Sequence, residues 1–138
     1  MRDYTAGRGD LARTYAQIVG VILILTGLLG IVLGDPADGL LGLLNIDIVE
    51  DIIHILSGAI LAYVGFVADR GLAKTVVGGL GVVYVLVGIL GFVDPELFGL
   101  IPNGYNLFDN LFHLALGALS LAVAFLIGGE GRTTTVTR

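Results

Sequence analysis

The sequence predicts an all-α integral membrane protein, a four-helix bundle made of two tandem helical hairpins. Composition, four long apolar runs and an internal repeat carry that expectation. Of 138 residues, 56% are apolar and only 14% charged, where a soluble domain has about a quarter charged. Mean hydropathy is +0.96. The two halves align without gaps at an offset of 59: His54 meets His113, Gly58-Ala59 meets Gly117-Ala118, Asp35-Pro36 meets Asp94-Pro95, and Gly20 meets Gly79. Leu41, Val64 and Phe66 likewise meet Leu100, Val123 and Phe125, and Glu50-Asp51 meets Asp109-Asn110. Each unit holds two helices, so both enter the membrane in the same direction, related by a pseudo-two-fold axis along the membrane normal. The expected organisation is a cytoplasmic N-terminal segment over 1–14, a four-helix domain over 15–129, and a disordered cytoplasmic tail over 130–138. The first repeat covers about 15–69 and the second about 74–128.

A spanning helix needs roughly 17–25 apolar residues. The first run covers 16–33, with Gln17 and Thr26 as its clearly polar side chains. It exceeds the roughly 7–15 residues of a signal-peptide core, so it reads as a retained helix. The second covers 48–68 and is uncharged after Asp51; the third, 75–93, has no charge; the fourth, 107–129, is uncharged after Asp109. Runs this long and continuous are helices, because barrel strands would be about ten residues of alternating polarity. Asp-Pro closes the first and third helices, since proline has no N–H and restricts the residue before it. The loops that follow, DPADGLLGLLNID and DPELFGLIPNGYN, are rich in Leu and Phe. They are expected in the headgroup region or folded back over the bundle, with partner docking as the alternative.

Basic residues set the orientation. Arg2, Arg8 and Arg13 precede the first helix, Arg70 and Lys74 lie between the second and third, and Arg132 and Arg138 follow the fourth. All fall on one side, so both termini are expected in the cytoplasm of a multi-pass cell-membrane protein. The opposite side holds Asp35, Asp38, Asp47, Glu50, Asp51, Asp94, Glu96 and Asp109. That acidity reads either as exclusion of bases, with helix-start acids and adaptation to salt, or as a cation-attracting face. A net charge of −5 argues against nucleic acid as a partner. With no cysteine, disulfides, iron–sulfur clusters and thiolate zinc sites are excluded.

Lipid provides no hydrophobic push between helices, so small residues mark where they pack. Gly20, Gly27 and Gly34 repeat every seven residues on the first helix, Gly58 and Gly65 on the second, Gly81 and Gly88 on the third, with Gly117 and Ala124 on the fourth. A seven-residue stripe is that of a left-handed bundle. Gly30 and Gly34 also form a GxxxG pair, a dimerisation signal. Extended backwards, the second helix's stripe reaches His54 and Asp51; the fourth helix's contains Asn110, His113 and Ser120. These polar groups therefore face the packing side, near the helix starts.

Two readings of them stay open. Asp47-x-x-Glu50 and Asn106-x-x-Asp109 look like cap pairs, and Asp51, His54, Asn110 and His113 would form a polar lock between helices. Alternatively, ionisable groups on an interior membrane face mark a ligand site or an ion path. His54 and His113, with Asp51, Glu50 and Asp109 as further candidates, could hold a metal, since imidazole and carboxylate suit zinc, copper or iron. The histidine pair could also ligate a haem or relay protons. No zinc-protease, serine-elbow or phosphate-loop pattern is present, GGLGVV at Gly78 lacks the third glycine of a dinucleotide fingerprint, and Arg8-Gly9-Asp10 reads as a chance match.

NLFDNLFHLALGALSLA resembles the signature of a family of small four-helix prokaryotic membrane proteins of unknown function, with Asp-Asn-x-x-His-Leu-x-x-Gly at the start of the fourth helix. Asp109, Asn110, His113, Leu114 and Gly117 match it, and His54 and Gly58 match a second copy in which Glu50-Asp51 replaces Asp-Asn and Ile55 replaces Leu. The resemblance implies the fold and no activity. The leading expectation is a non-enzymatic scaffold or accessory subunit in the lipid bilayer, without a cofactor, that self-associates as a homo-oligomer or packs in a larger membrane complex. A metal- or haem-binding membrane protein and a small ion or proton transporter or channel are the alternatives.

Overall fold

The computed structural model describes residues 6–34 and 39–127. Helix α1 is Ala6–Leu33, α2 Ile48–Phe66, α3 Arg70–Val93 and α4 Leu107–Leu121, continued by a π-helical stretch, Ala122–Ile127. Among the described residues the only extended pairing is a single bridge between Leu40 and Leu44. Four spans, Leu11–Leu33, Ile48–Phe66, Arg70–Val93 and Leu107–Phe125, are long and apolar enough to cross a bilayer. The protein is an all-helical membrane bundle. The Asp35-Pro36 stop, Asp38, the charges at Arg2 and Asp3, and the 130–138 tail lie outside the described residues.

The helices run beyond the apolar windows. α1 begins at Ala6, before the first apolar run, and α3 begins at Arg70 because Asp69 caps it, accepting the Leu72 N–H at 2.9 Å. Asp94 ends α3 and organises the turn after it, accepting from the Glu96 and Phe98 N–H groups.

Burial is inverted relative to a soluble protein. Large apolar side chains such as Ile18, Leu25, Leu56, Val83, Phe92 and Leu119 are exposed. The interior holds small residues (Ala12, Ala16, Ala73), a few aliphatics (Leu23, Leu61, Val77) and the polar groups. Lipid is as apolar as leucine, so only close packing and hydrogen bonds favour an inside position.

Each hairpin closes on a pair of glycines. A Cβ at Gly58 would lie 2.7 Å from the Gly20 carbonyl oxygen, and one at Gly20 would lie 2.8 Å from that of Gly58. Gly117 and Gly81 repeat the contact at 2.8 and 3.1 Å. Gly27 abuts the Asp51 backbone and Gly88 that of Asn110, while Gly65 packs on Gln17 and Gly34 on Ile46. Gly30 meets the Asp51 carboxylate, so both members of the GxxxG pair are occupied within the chain rather than offered to a second copy.

These contacts correct the gapless register. The second helices correspond at an offset of 59, but Gly20, Gly27 and Gly30 of α1 hold the posts of Gly81, Gly88 and Gly91 in α3, an offset of 61. Gly79, matched to Gly20 by the gapless alignment, faces open space. GLLGIVLGDP in the first unit stands against GILGFVDP in the second, with Leu33-Gly34 as the extra pair. Two residues turn a helix by about 200°, enough to exchange the packing face for the lipid face.

α1 packs on α2 and α3 on α4; the hairpins join where α3 meets α1 and α2 and where α1 meets the π-helical continuation of α4. The two long loops fold over one end and brace each other. Asp47, the cap of α2, accepts from Val49 N–H and also from Asn103 N–H of the opposite loop, at 2.8 and 3.1 Å. Asp109 completes a capping box with Asn106 and accepts from Asn45 N–H of the other loop, at 2.8 and 3.0 Å. The side-chain amides of Asn103 and Asn106 donate to the Ile46 and Leu43 carbonyls. Asp109→Ala removes both a cap and a charged cross-loop bond, terms of about 1 and 1.5–3 kcal/mol. The expected result is roughly 2–4 kcal/mol lower stability on those same grounds, with faster hydrogen exchange at the Asn45 and Asn106 amides.

Candidate metal centre

Beneath the braced loops, the acid–histidine starts of α2 and α4 meet. The repeat gives both helices a carboxylate four residues before a histidine, yet the two acids do different things. Asp109 curls back to cap its own helix. Glu50 is longer by a methylene and extends inward instead, placing Oε1 3.5 Å from His113 Nε2 and 3.9 Å from His54 Nε2. Glu50, His54 and His113 are all buried, and one ligating atom from each lies within 4.8 Å of the others.

Aromatic rings fix the imidazoles. Tyr84 of α3 lies parallel to His54 with centroids 6.5 Å apart, and Tyr105 of the second loop meets His113 edge-on at 4.9 Å. The two imidazoles are 5.8 Å apart and tilted by 41°. Tyr84 hydrogen-bonds Ser57 at 2.8 Å. Burial, then the neighbouring acids Glu50 and Asp109, push the Tyr105 phenol above its ordinary value, which keeps it a neutral donor.

The candidate residues therefore separate. Glu50, His54 and His113 converge; Asp109 stays with the loops. Asp51 and Asn110, one residue further round each helix, turn onto Gly30 and Gly91 of their own hairpin partners. The lock expected of Asp51, His54, Asn110 and His113 thus divides into a hairpin contact and a histidine centre, because a one-residue step rotates the side chain by about 100°.

Polar groups elsewhere in the bundle are paired. Tyr15 and Ser120 share a bond of 2.7 Å, Gln17 donates to the Gly65 carbonyl at 2.8 Å, and Thr26 donates to that of Ile22 at 2.9 Å. Among the described residues, the buried side-chain atoms without a hydrogen-bond partner belong to the loop end: Glu50 Oε2, His54 Nε2, His113 Nδ1, Asp51 Oδ2, Asn110 Oδ1 and Asn45 Nδ2. Native interiors satisfy such atoms, and exceptions point to water, an ion or a ligand.

Spacing favours an ion. The converging atoms are Glu50 Oε1, His113 Nε2 and His54 Nε2, the last of them unpartnered; hydrogen bonds between them would be about 2.7–3.2 Å, whereas donors on a tetrahedral ion at about 2.0–2.2 Å sit roughly 3.3–3.6 Å apart. The observed 3.5 and 3.9 Å lie at and just beyond the second range. A haem does not fit: the cavity beside the imidazoles is about 100 Å³, below the ~150 Å³ that accepts a single benzene ring.

The chain's first hairpin has relatives. Residues 4–67 match the model of a family described as a domain of unknown function (DUF4383). No curated protein matches the chain, and no solved structure does. The matched stretch contains Glu50, His54 and Gly58, the second copy of the histidine motif, and ends before Asp109, Asn110 and His113. Tyr84, Ser57 and Tyr105 border the centre without belonging to the acid–histidine motif. The available signal was Tyr84 itself, whose hydroxyl interrupts an otherwise apolar run.

Proposed function

We propose that this is a metal-binding membrane protein whose centre is formed by Glu50, His54 and His113. The observation that carries the reading is the convergence of three buried donors, with Glu50 Oε1 3.5 and 3.9 Å from the two histidine Nε2 atoms and one ligating atom of each residue within 4.8 Å of the others. Two imidazoles and one carboxylate suit zinc, iron or copper. The loop end faces away from the cytoplasm, because no Lys or Arg occurs between Arg13 and Arg70 or between Lys74 and Arg132; both termini are then cytoplasmic. Titration of purified protein with Co(II) tests the centre. The expected result is visible d–d absorption that saturates at one ion per chain. Absence of saturable absorption, with no zinc, iron or copper retained from the cell, overturns it.

A second reading, the scaffold or accessory subunit, has its own support. Leu41 and Phe98 hold left-handed backbone angles, φ +58° and +60°, while 87% and 83% exposed. Such a conformation costs a non-glycine residue roughly 1–2 kcal/mol, and here it presents apolar side chains outward. Self-association through these tips predicts a dimer in nanodiscs that Leu41→Ser with Phe98→Ser converts to monomer. A monomeric parent protein sinks the homo-oligomer.

A further inference from the structure

We infer that the metal centre draws its outer ligand from the bilayer: a neutral, linear, oxygen-headed lipophile entering between α2 and α3. This rests on the metal reading. Three protein donors leave a coordination position open, as in catalytic rather than structural sites.

A cavity of about 100 Å³ leads to that position, with Glu50, His54 and His113 at its inner end. Its walls include Ile53, Val83 and Leu100, which are 40, 51 and 54% exposed. Ile53 and Val83 sit on spanning segments, so the mouth opens toward acyl chains. The aqueous side is covered: Ile101 is fully buried, Tyr105 nearly so, and the loops are braced to one another.

The internal repeat supplies a comparison within the same molecule. The equivalent cleft, between α1 and α4, is lined by Thr26 and Phe112 and retains only about 10 Å³. Phe112 stands where α2 has Ile53, at the offset of 59. Of the two related clefts, the one that carries the Phe112 ring is nearly closed and the other is open.

The chemistry of the inner end restricts the occupant. Glu50 is the carboxylate that lines it, Asp47, Asp51 and Asp109 stand near Glu50 at the same end of the bundle, and no Lys or Arg is among the lining residues. An anionic head would enter beside these acids with no Lys or Arg in the lining to pair with it, so a neutral head is favoured. The volume is below the ~150 Å³ that holds a benzene ring, so it takes a hydroxyl or carbonyl head with its first few methylenes and not a ring. The remaining chain lies in lipid.

The test uses the full chain, loaded with Co(II), in phosphatidylcholine nanodiscs. Added 1-decanol should shift the d–d bands saturably, whereas decane and decanoate should not. Ile53→Phe, and separately Val83→Phe, should retain one cobalt per chain yet weaken the decanol response at least tenfold. A decanol response unchanged in both variants, no response in the parent, or an equal response to decane or decanoate overturns the proposal while leaving the metal centre standing. Absence of the cobalt bands in the parent overturns the metal reading and this proposal with it.

Discussion

Purified His113→Ala is expected to carry less than a tenth of the metal bound by the parent chain. His113 is 2% exposed and its Nε2 is the histidine atom nearer to Glu50, and alanine removes that donor. Loss of an outer-sphere partner already weakens metal sites by about 10–100-fold; loss of a direct ligand should exceed that range. His54→Ala should behave the same way, and Glu50→Gln should weaken binding by at least about 10-fold on the same scale, because an amide keeps the shape but not the anionic donor. Asp51→Asn is the control, since Asp51 faces Gly30 rather than the imidazoles; its metal content should stay within about twofold of the parent. Elemental analysis gives the ratio. Thermal melting gives an independent readout: an ion that binds only the folded state raises stability as its concentration exceeds Kd, by about 2.7 kcal/mol at a hundredfold excess. The parent should gain that stabilisation and the histidine variants should not. Equal metal content and equal melting shifts in parent, His54→Ala and His113→Ala would remove the centre from these residues.

Gly58→Val is expected to be among the most damaging single substitutions in the bundle. Its added Cβ would meet the Gly20 carbonyl and the Ile24 N–H at 2.7 and 2.8 Å. Both are backbone atoms, so relief requires the helices to separate rather than a side chain to rotate. Overpacking typically costs about 1–3 kcal/mol; a clash with two backbone atoms at a helix crossing belongs at or above the upper end. Gly117→Val should match it, because Gly117 meets the Gly81 carbonyl at 2.8 Å in the second hairpin. Gly81→Ala and Gly79→Ala separate register from composition. Gly81 packs against Ser120 and the Gly117 carbonyl; Gly79 has open space. Gly79→Ala should be neutral or stabilising by up to about 1 kcal/mol, the usual helix preference for alanine, while Gly81→Ala should destabilise. Equal tolerance at the two positions, measured by denaturation in detergent micelles, would restore the gapless register.

Legibility of the centre varied residue by residue. His54 and His113 were readable because histidine is costly in lipid and the repeat places one at the same point in each unit. Glu50 and Asp109 were readable as acids near those histidines, but not their separate roles. One methylene decides whether a carboxylate reaches inward or returns to its own cap. Tyr84 and Tyr105 come from α3 and the second loop, far from the motif in sequence. The gapless alignment also concealed Gly91 as the counterpart of Gly30, because the inserted Leu33-Gly34 pair precedes an Asp-Pro that still aligns.

The sequence alone determined that the chain is four membrane helices in two related hairpins, because hydropathy over the length of a bilayer is a local property summed along the chain. Tertiary structure alone decided which acid joins the histidines, which loop covers them, and that one of two related clefts stays open. Those outcomes depend on helix rotation and on distances of a few ångströms between residues far apart in the chain. Neither hydropathy nor spacing encodes such distances until the helices are packed.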